Sequence, residues 1–383
     1  MRGWVAGFLL PGVLLGPLGA LLIAWQYHIH TDPETAGLHF LALNTGYVLA
    51  AGTAQRVLTR ASVRSVAFFA CGIGFASLVT LSFLAPPVPA LWRLIGLGFV
   101  ATAAGALVTV LLYVLEPFFA DGAPAAMNLC VLLFNCGCLL ATVIVDVMYF
   151  VGPVHLETMA LSAIPLVYFV IYAINRNPIA IAWAVGPYSA IREKVIDLRS
   201  TAGVLCALLL FFQFGSEWSI VGWLPLFLIH RLGTSPERAI LAMAVYFLVL
   251  IAGRVSGRPL LSKVKRRRLL VASLALTIFG YLLLSLADSL GGACLAIVLI
   301  GAGFSPIYPL LARNLDERFS YDPRFYNGMI SLAITGGMSA AWLVGYVDSW
   351  FGMQYAMLVP ALGSVVVFAL TLLVMLEARV MRG

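Results

Sequence analysis

Charge is what this chain has least of. Only 10% of its 383 residues are charged, while 62% are hydrophobic. Soluble proteins carry roughly 25% charge, so an ordinary soluble domain is excluded. Motifs for common chemistry are missing as well. No P-loop, GxSxG, HExxH or paired CxxC occurs. Nucleotide hydrolysis, acyl transfer on a serine elbow and zinc proteolysis therefore have no support, and neither an enzyme nor a cofactor is expected. Cysteine is sparse. Cys71, Cys130, Cys136, Cys138, Cys206 and Cys294 all fall in apolar stretches. Cys136 and Cys138 are two apart, so on a helix they do not face one another. They read as small hydrophobic residues, not as disulfides or metal ligands. The short alternating segments of a transmembrane β-barrel are absent too.

What the chain has instead is long apolar runs. Stretches of 18 or more such residues recur throughout, each long enough to cross about 30 Å of hydrocarbon. The pattern predicts an all-α polytopic membrane protein with twelve spans, at roughly 4–28, 36–57, 65–85, 90–117, 125–150, 157–174, 202–229, 237–257, 269–287, 291–313, 326–347 and 353–377. The first 25 residues hold Pro11, Pro17 and five glycines, with no clear small-residue cleavage site. They are expected to be the first span and not a signal peptide.

The net charge of +7 reports topology. With the N-terminus inside, 20 of the 23 basic residues fall in inside segments, and only Arg93, Arg231 and Arg238 fall outside. By that bias both termini are expected in the cytoplasm, and a bacterial inner membrane is the expected setting. KVKRRR, residues 263–268, is the densest basic cluster. It is expected to fix orientation and meet anionic lipid head groups; a nucleic-acid partner is not expected.

The longest segment between spans is 176–199, with Arg176, Arg192, Glu193, Lys194, Asp197 and Arg199. It reads as an amphipathic cytoplasmic linker between an N-terminal six-helix bundle, 1–175, and a C-terminal one, 200–383. The two halves repeat weakly at an offset near 200. Gly52, Arg56 and Arg60 correspond to Gly253, Arg254 and Arg258, Asn128 to Asn327, and Gly137 to Gly337. A parallel six-plus-six repeat places a solute site between the halves at mid-membrane.

Three segments carry a family resemblance. They are FFQFGSEWSIVGWLPLFL (211–228), GRVSGRPLL (253–261) and GAGFSPIYPLLARNLDERF (301–319). GVLLGPLGALL (12–22) and LNTGYVLAAG (43–52) add to it. Together they resemble the major facilitator superfamily, in its fucose–proton symporter-like sugar group. The resemblance implies two pseudo-symmetric six-helix bundles, a monomer, and alternating access to a small-molecule solute. There are departures. In QRVLTRASVR (55–64), Thr59 and Ser62 stand where the superfamily has Asp and Gly, and Thr109 and Tyr113 stand where span four tends to carry an acid and Asn. The group's acid in span one is absent.

Glu217 is the residue on which function turns. It lies mid-span in LLLFFQFGSEWSIVGWLPLFLI, with no other charge for a dozen residues on either side. A carboxylate there costs roughly 2.5–3.5 kcal/mol on insertion scales. Burial disfavours its charged form, which suits a group that gains and loses a proton. Gln213, four residues earlier, shares its helix face, and Trp218 and Trp223 offer flat apolar surface. The alternative is a structural acid bonded to a neighbouring helix. Thr102, Gly105, Thr109, Tyr113 and Glu116 form one face of span four. Glu116 is either a second protonation site or a partner of Arg56 or Arg60.

Other candidates follow from position. Gln26, Asn44, Tyr308 and Asn327 are polar or aromatic residues placed near a cavity. Asp146 could pair with Arg93 as an outer gate, or be a plain interface residue. Arg56, Arg60, Arg254 and Arg258 are gating candidates on the cytoplasmic side. His28, His30 and His39, with Asp32 and Glu34, read as a solvated loop and not a metal site. Gly12, Gly16, Pro17 and Gly19 in span one, and Gly301, Gly303, Pro306 and Pro309 in span ten, predict bends.

The expected function is a secondary active transporter of a sugar or polyol, coupled to protons through Glu217, with sodium as the alternative ion. An exporter of amphipathic metabolites, lipids or drugs is the runner-up, and a non-transporting sensor the third reading.

Overall fold

The structure, a computed structural model, describes residues 5–29, 32–152, 155–174, 201–263, 265–311 and 322–380. Within these, the side chains of 116–126, 201–202, 257–263 and 377–380 lie outside the description. So do the linker 176–199, His30, and the side chains of Glu116, Arg258 and Lys263.

Among the described residues every regular element is a helix. After a 3-10 turn at Ala6–Phe8 come α1 (Leu9–Leu15), α2 (Leu18–Ala24), α3 (Pro33–Val57), α4 (Val63–Ser82), α5 (Ala90–Val151) and α6 (Leu156–Ile174). Beyond the linker come α7 (Thr201–Leu232), α8 (Pro236–Lys263), α9 (Arg266–Leu286), α10 (Leu290–Phe304), α11 (Pro323–Phe351), the short α12 (Met353–Ala356) and α13 (Leu358–Val380). Eleven helical segments are long and apolar enough to cross a membrane. The twelfth expected span, α3, has 25 residues. It would reach about 38 Å, but it carries Glu34, His39, Asn44 and Gln55 and is more polar.

Starts and stops follow the local sequence. Asp32 accepts from the Thr35 amide at 3.1 Å and precedes Pro33 at the first helical position. Ser62, Ser289 and Asp322 cap α4, α10 and α11 in the same way. Such oxygens satisfy amides that have no partner inside the helix. Gly233 (φ 62°) and Gly352 (φ 88°) end α7 and α11 in the left-handed region, which glycine adopts without penalty.

The bends expected in spans one and ten are present. α1 stops at Leu15 and α2 resumes after Pro17. α10 breaks at Ser305–Pro306, then the chain is helical again through Leu311. Spans four and five come out as two segments, Ala90–Leu115 and Met127–Val151, as expected, although the backbone between them is also helical, so that α5 covers 62 residues. Straight, it would extend about 93 Å. Yet Gly7 packs on Leu111 while the Leu9 carbonyl packs on Gly137. Two residues that far apart on α5 meet neighbouring residues of the first span, so the chain turns back between them. A side chain at Gly137 would strike that carbonyl, which is why the crossing uses glycine.

Helices before the linker pack chiefly on one another, as do those after it. Across the seam, α3 meets α11, α5 meets α8, and α2 meets α7. Exposed apolar side chains such as Phe69, Phe99, Phe279 and Leu362 cover outward faces, as a lipid-facing surface requires.

Candidate functional site

Glu217 does not stand alone in space. Its Oε1 lies 3.3 Å from a terminal nitrogen of Arg254. Its Oε2 accepts from Gln213 Nε2 at 2.9 Å, one helical turn earlier on α7. Arg254 also reaches the Val131 carbonyl on α5 at 3.5 Å. The acid and the arginine are 8% and 3% exposed. This is a buried ion pair bridging α7 and α8, with a link to α5 across the seam. Removing one partner of such a pair costs about 3–5 kcal/mol, because the other charge stays buried.

Arg254 thus corrects the sequence reading. It was expected in a cytoplasmic basic loop, but α8 continues helically to Lys263 and holds it inside the bundle. The shared face of Gln213 and Glu217 is as expected. Around the pair sit polar atoms without partners among the described residues: Gln213 Oε1, Arg254 Nε and the Tyr246 hydroxyl. Asn135 Nδ2 is another, one turn beyond Val131 on a residue 3% exposed. Buried polar atoms are usually satisfied, so these four have capacity for a ligand or water. Tyr246 and Asn135 escaped the sequence reading. A lone Asn in an apolar span was the available signal for the latter.

Trp218 packs against Phe134 across the seam, with ring centres 5.9 Å apart. Trp223 is fully buried. Its Nε1 donates to the Ala341 carbonyl at 2.7 Å and its ring stacks with Phe40. That makes it a strut between helices, with no face left for a solute. Tyr308 meets Phe214 edge-on at 5.9 Å. Both line a narrow crevice with Met127, Leu210, Met329 and Ile330. Tyr113 is buried in the core. Gln26 adopts φ 64° at the end of α2, and Asn44 keeps a buried Oδ1 without a partner.

Thr109 and Asn327 are brought together. Thr109 Oγ1 meets Asn327 Oδ1 at 3.0 Å, and Asn327 Nδ2 donates to the Ala51 carbonyl at 3.2 Å. Arg56 and Arg60 are exposed at the end of α3.

The Arg93–Asp146 pair does not form. Arg93 donates to the Val88 carbonyl at 2.8 Å and the Leu84 carbonyl at 3.3 Å. Its guanidinium also lies over Trp25 at 5.7 Å. It clamps the turn between α4 and α5 to the end of the first span. Asp146 keeps a buried Oδ1 without a partner. His39 is likewise corrected. It is fully buried in α3, not in a solvated loop, with Nδ1 2.7 Å from the Thr35 carbonyl and its ring against Trp25 and Tyr27. His28, beyond the span, is half-buried, and burial pushes its imidazole below the usual range.

A helical bundle with eleven membrane-length apolar segments, a bent first span and a seam between two helix groups defines a polytopic membrane protein. The sequence profile described as Major Facilitator Superfamily matches residues 3–334 and 206–382. The chain belongs to that superfamily and is a transporter, not an enzyme. A Yersinia pestis protein, described as an uncharacterized MFS-type transporter, is 28% identical over 109 residues, covering 28% of this chain and 27% of that protein. Among solved structures, the E. coli fucose:proton symporter FucP has a TM-score of 0.65 at 19% identity, over 97% of this chain and 98% of that one. The nucleoside transporter NupG has a TM-score of 0.74 at 13% identity, over 97% and 99%. At these identities the likeness concerns the fold.

Proposed function

We propose that this transporter moves a small polar solute, a sugar or polyol, by alternating access, and couples it to protons through Glu217. The observation that carries the reading is the buried Glu217–Arg254 pair with Gln213 beside it. A proton delivered to Glu217 cancels the charge that Arg254 faces. Arg254 then seeks another acceptor, and a hydroxyl-bearing solute supplies one. The unsatisfied donors and acceptors on Arg254, Gln213, Tyr246 and Asn135 suit hydroxyl groups, which both give and take hydrogen bonds. Fucose and nucleosides, the solutes in the names of the two structural relatives, set the compounds to try first.

Glu217→Gln tests the coupling. It keeps the shape and the bond from Gln213, but holds no exchangeable charge. Uphill, pH-driven uptake into proteoliposomes should be lost, while solute exchange at equal concentrations persists. Full uphill uptake by this variant would sink the proton role. A sodium-driven mechanism would show instead as accumulation under a sodium gradient at constant pH.

The crevice beside Phe214 and Tyr308 favours a second reading. Its lining is apolar and rich in Met and aromatic residues, which suits an exported amphipathic solute, lipid or drug. Dye efflux without any sugar-induced thermal shift would select it. In either case we place both termini in the cytoplasm of a bacterial inner membrane, as a monomer. The exposed Lys265, Arg266, Arg267 and Arg268 then meet anionic lipid there.

A further inference from the structure

We infer that Asn327 is the latch that holds the bundle shut at the linker face, the face where α6 ends and α7 begins. Asn327 sits near the start of α11, after the linker, and is 2% exposed. Its side-chain partners among the described residues all lie before the linker. Nδ2 donates to the Ala51 carbonyl at 3.2 Å and lies 3.5 Å from Gln55 Oε1, both on α3. Oδ1 faces Thr109 Oγ1 on α5 at 3.0 Å.

The orientation of the amide follows from chemistry. A main-chain carbonyl only accepts, so the amide nitrogen must face Ala51. Oδ1 then faces Thr109 and must receive its hydrogen. That hydrogen is shared with the Gly105 carbonyl, 2.8 Å away. One uncharged side chain therefore ties two helices of the first half to one of the second.

Among the described residues nothing comparable surrounds it. Arg56 and Arg60, at the same end of α3, are exposed, and the two ion pairs among the described residues lie elsewhere, at Arg254–Glu217 and Arg231–Asp288. Asn128, the counterpart of Asn327 in the weak repeat, has a buried Oδ1 without a partner. The latch is made at one of two equivalent places. The opposite face is held separately, by Ser349 donating to Glu34 at 3.0 Å and by Gly37 packed on the Trp342 carbonyl. If α3 and α11 part at the linker face, the Asn327 bonds break while the Ser349 bond can stay.

Sided thiol labelling reads this directly, and separately from solute uptake. In a chain whose native cysteines are replaced by alanine, one reporter is Ile330→Cys, in the crevice at the linker face. The other is Ala36→Cys, buried beside the Gly37–Trp342 contact. Asn327→Ala should raise maleimide labelling at position 330 by about tenfold, as expected for losing more than one net hydrogen bond. Labelling at position 36 should stay level or fall. Thr109→Val should act in the same direction with a smaller effect, and it carries the test where Asn327→Ala fails to fold. The double variant should match Asn327→Ala alone, because the Thr109 bond is already gone. Unchanged labelling at both positions overturns the latch. An equal rise at both also overturns it, since that marks a strut whose loss loosens the whole bundle.

Discussion

At the scale of single residues, Glu217 and Arg254 decide how any variant of the site behaves. Each is the other's counter-charge in a place where water does not replace it. Arg254→Gln alone should therefore lower Tm sharply, in keeping with a cost of about 3–5 kcal/mol for stranding a buried charge. Glu217→Gln with Arg254→Gln should recover much of that loss, because no charge is left unpaired. Thermal unfolding of the detergent-purified single and double variants measures this coupling. Additive losses would mean that the two side chains are not paired. Arg93 poses the contrasting case. It grips two carbonyls and stacks on an aromatic ring, which needs a planar fork. Arg93→Lys keeps the charge but loses the fork. It should lower Tm by several degrees while leaving the coupling of uptake to pH intact. A change in coupling would restore the gate role that the Arg93 position in the sequence suggested.

Helix crossings set the limits at the scale of elements. α7 and α11 approach so closely that a side chain at Gly336 would overlap the Phe211 carbonyl, and α3 and α5 do the same at Gly105 against Tyr47. Backbone cannot give way as a flexible side chain can. Gly336→Ala should therefore destabilise by about 1–3 kcal/mol, the cost of overpacking, whereas Gly328→Ala, with open space around it, should be nearly silent. Comparing the two melting temperatures checks the crossing. These elements were largely legible beforehand, since apolar length marks a span and Pro or Gly marks its breaks. The turn inside α5 was legible too: Glu116, Pro117, Asp121, Gly122 and Pro124 mark a break, and the two spans lie on either side of it. The site was legible only in part. Spacing on one helix gave Gln213 with Glu217. Arg254 was misread because a basic residue near a span end normally reports topology, and its pairing depends on where α8 lies beside α7. Asn327 was picked out as polar, yet which helices it touches follows from packing alone.

At the scale of the whole molecule, the two helix groups are joined at both faces. Asn327 reaches α3 and α5 on one side, and Ser349 reaches Glu34 on the other. Between them lie the charge pair and the stack of Phe40 on Trp223. Among the described residues α3 and α11 are tied at both faces, so a solute at mid-depth passes only when one of these ties parts. Transport then depends on each face opening in turn, so locking either one should stop net flux. Glu34→Cys with Ser349→Cys, bridged by a short thiol cross-linker in a cysteine-free chain, locks the face away from the linker. Proteoliposome uptake should fall to background after bridging and return when a cleavable bridge is reduced. The Ile330→Cys reporter should still label in the locked protein, because the linker face remains free to open. Uptake that continues through the bridge would show that the solute does not pass between α3 and α11, and would move the pathway away from the seam on which Glu217 and Arg254 lie.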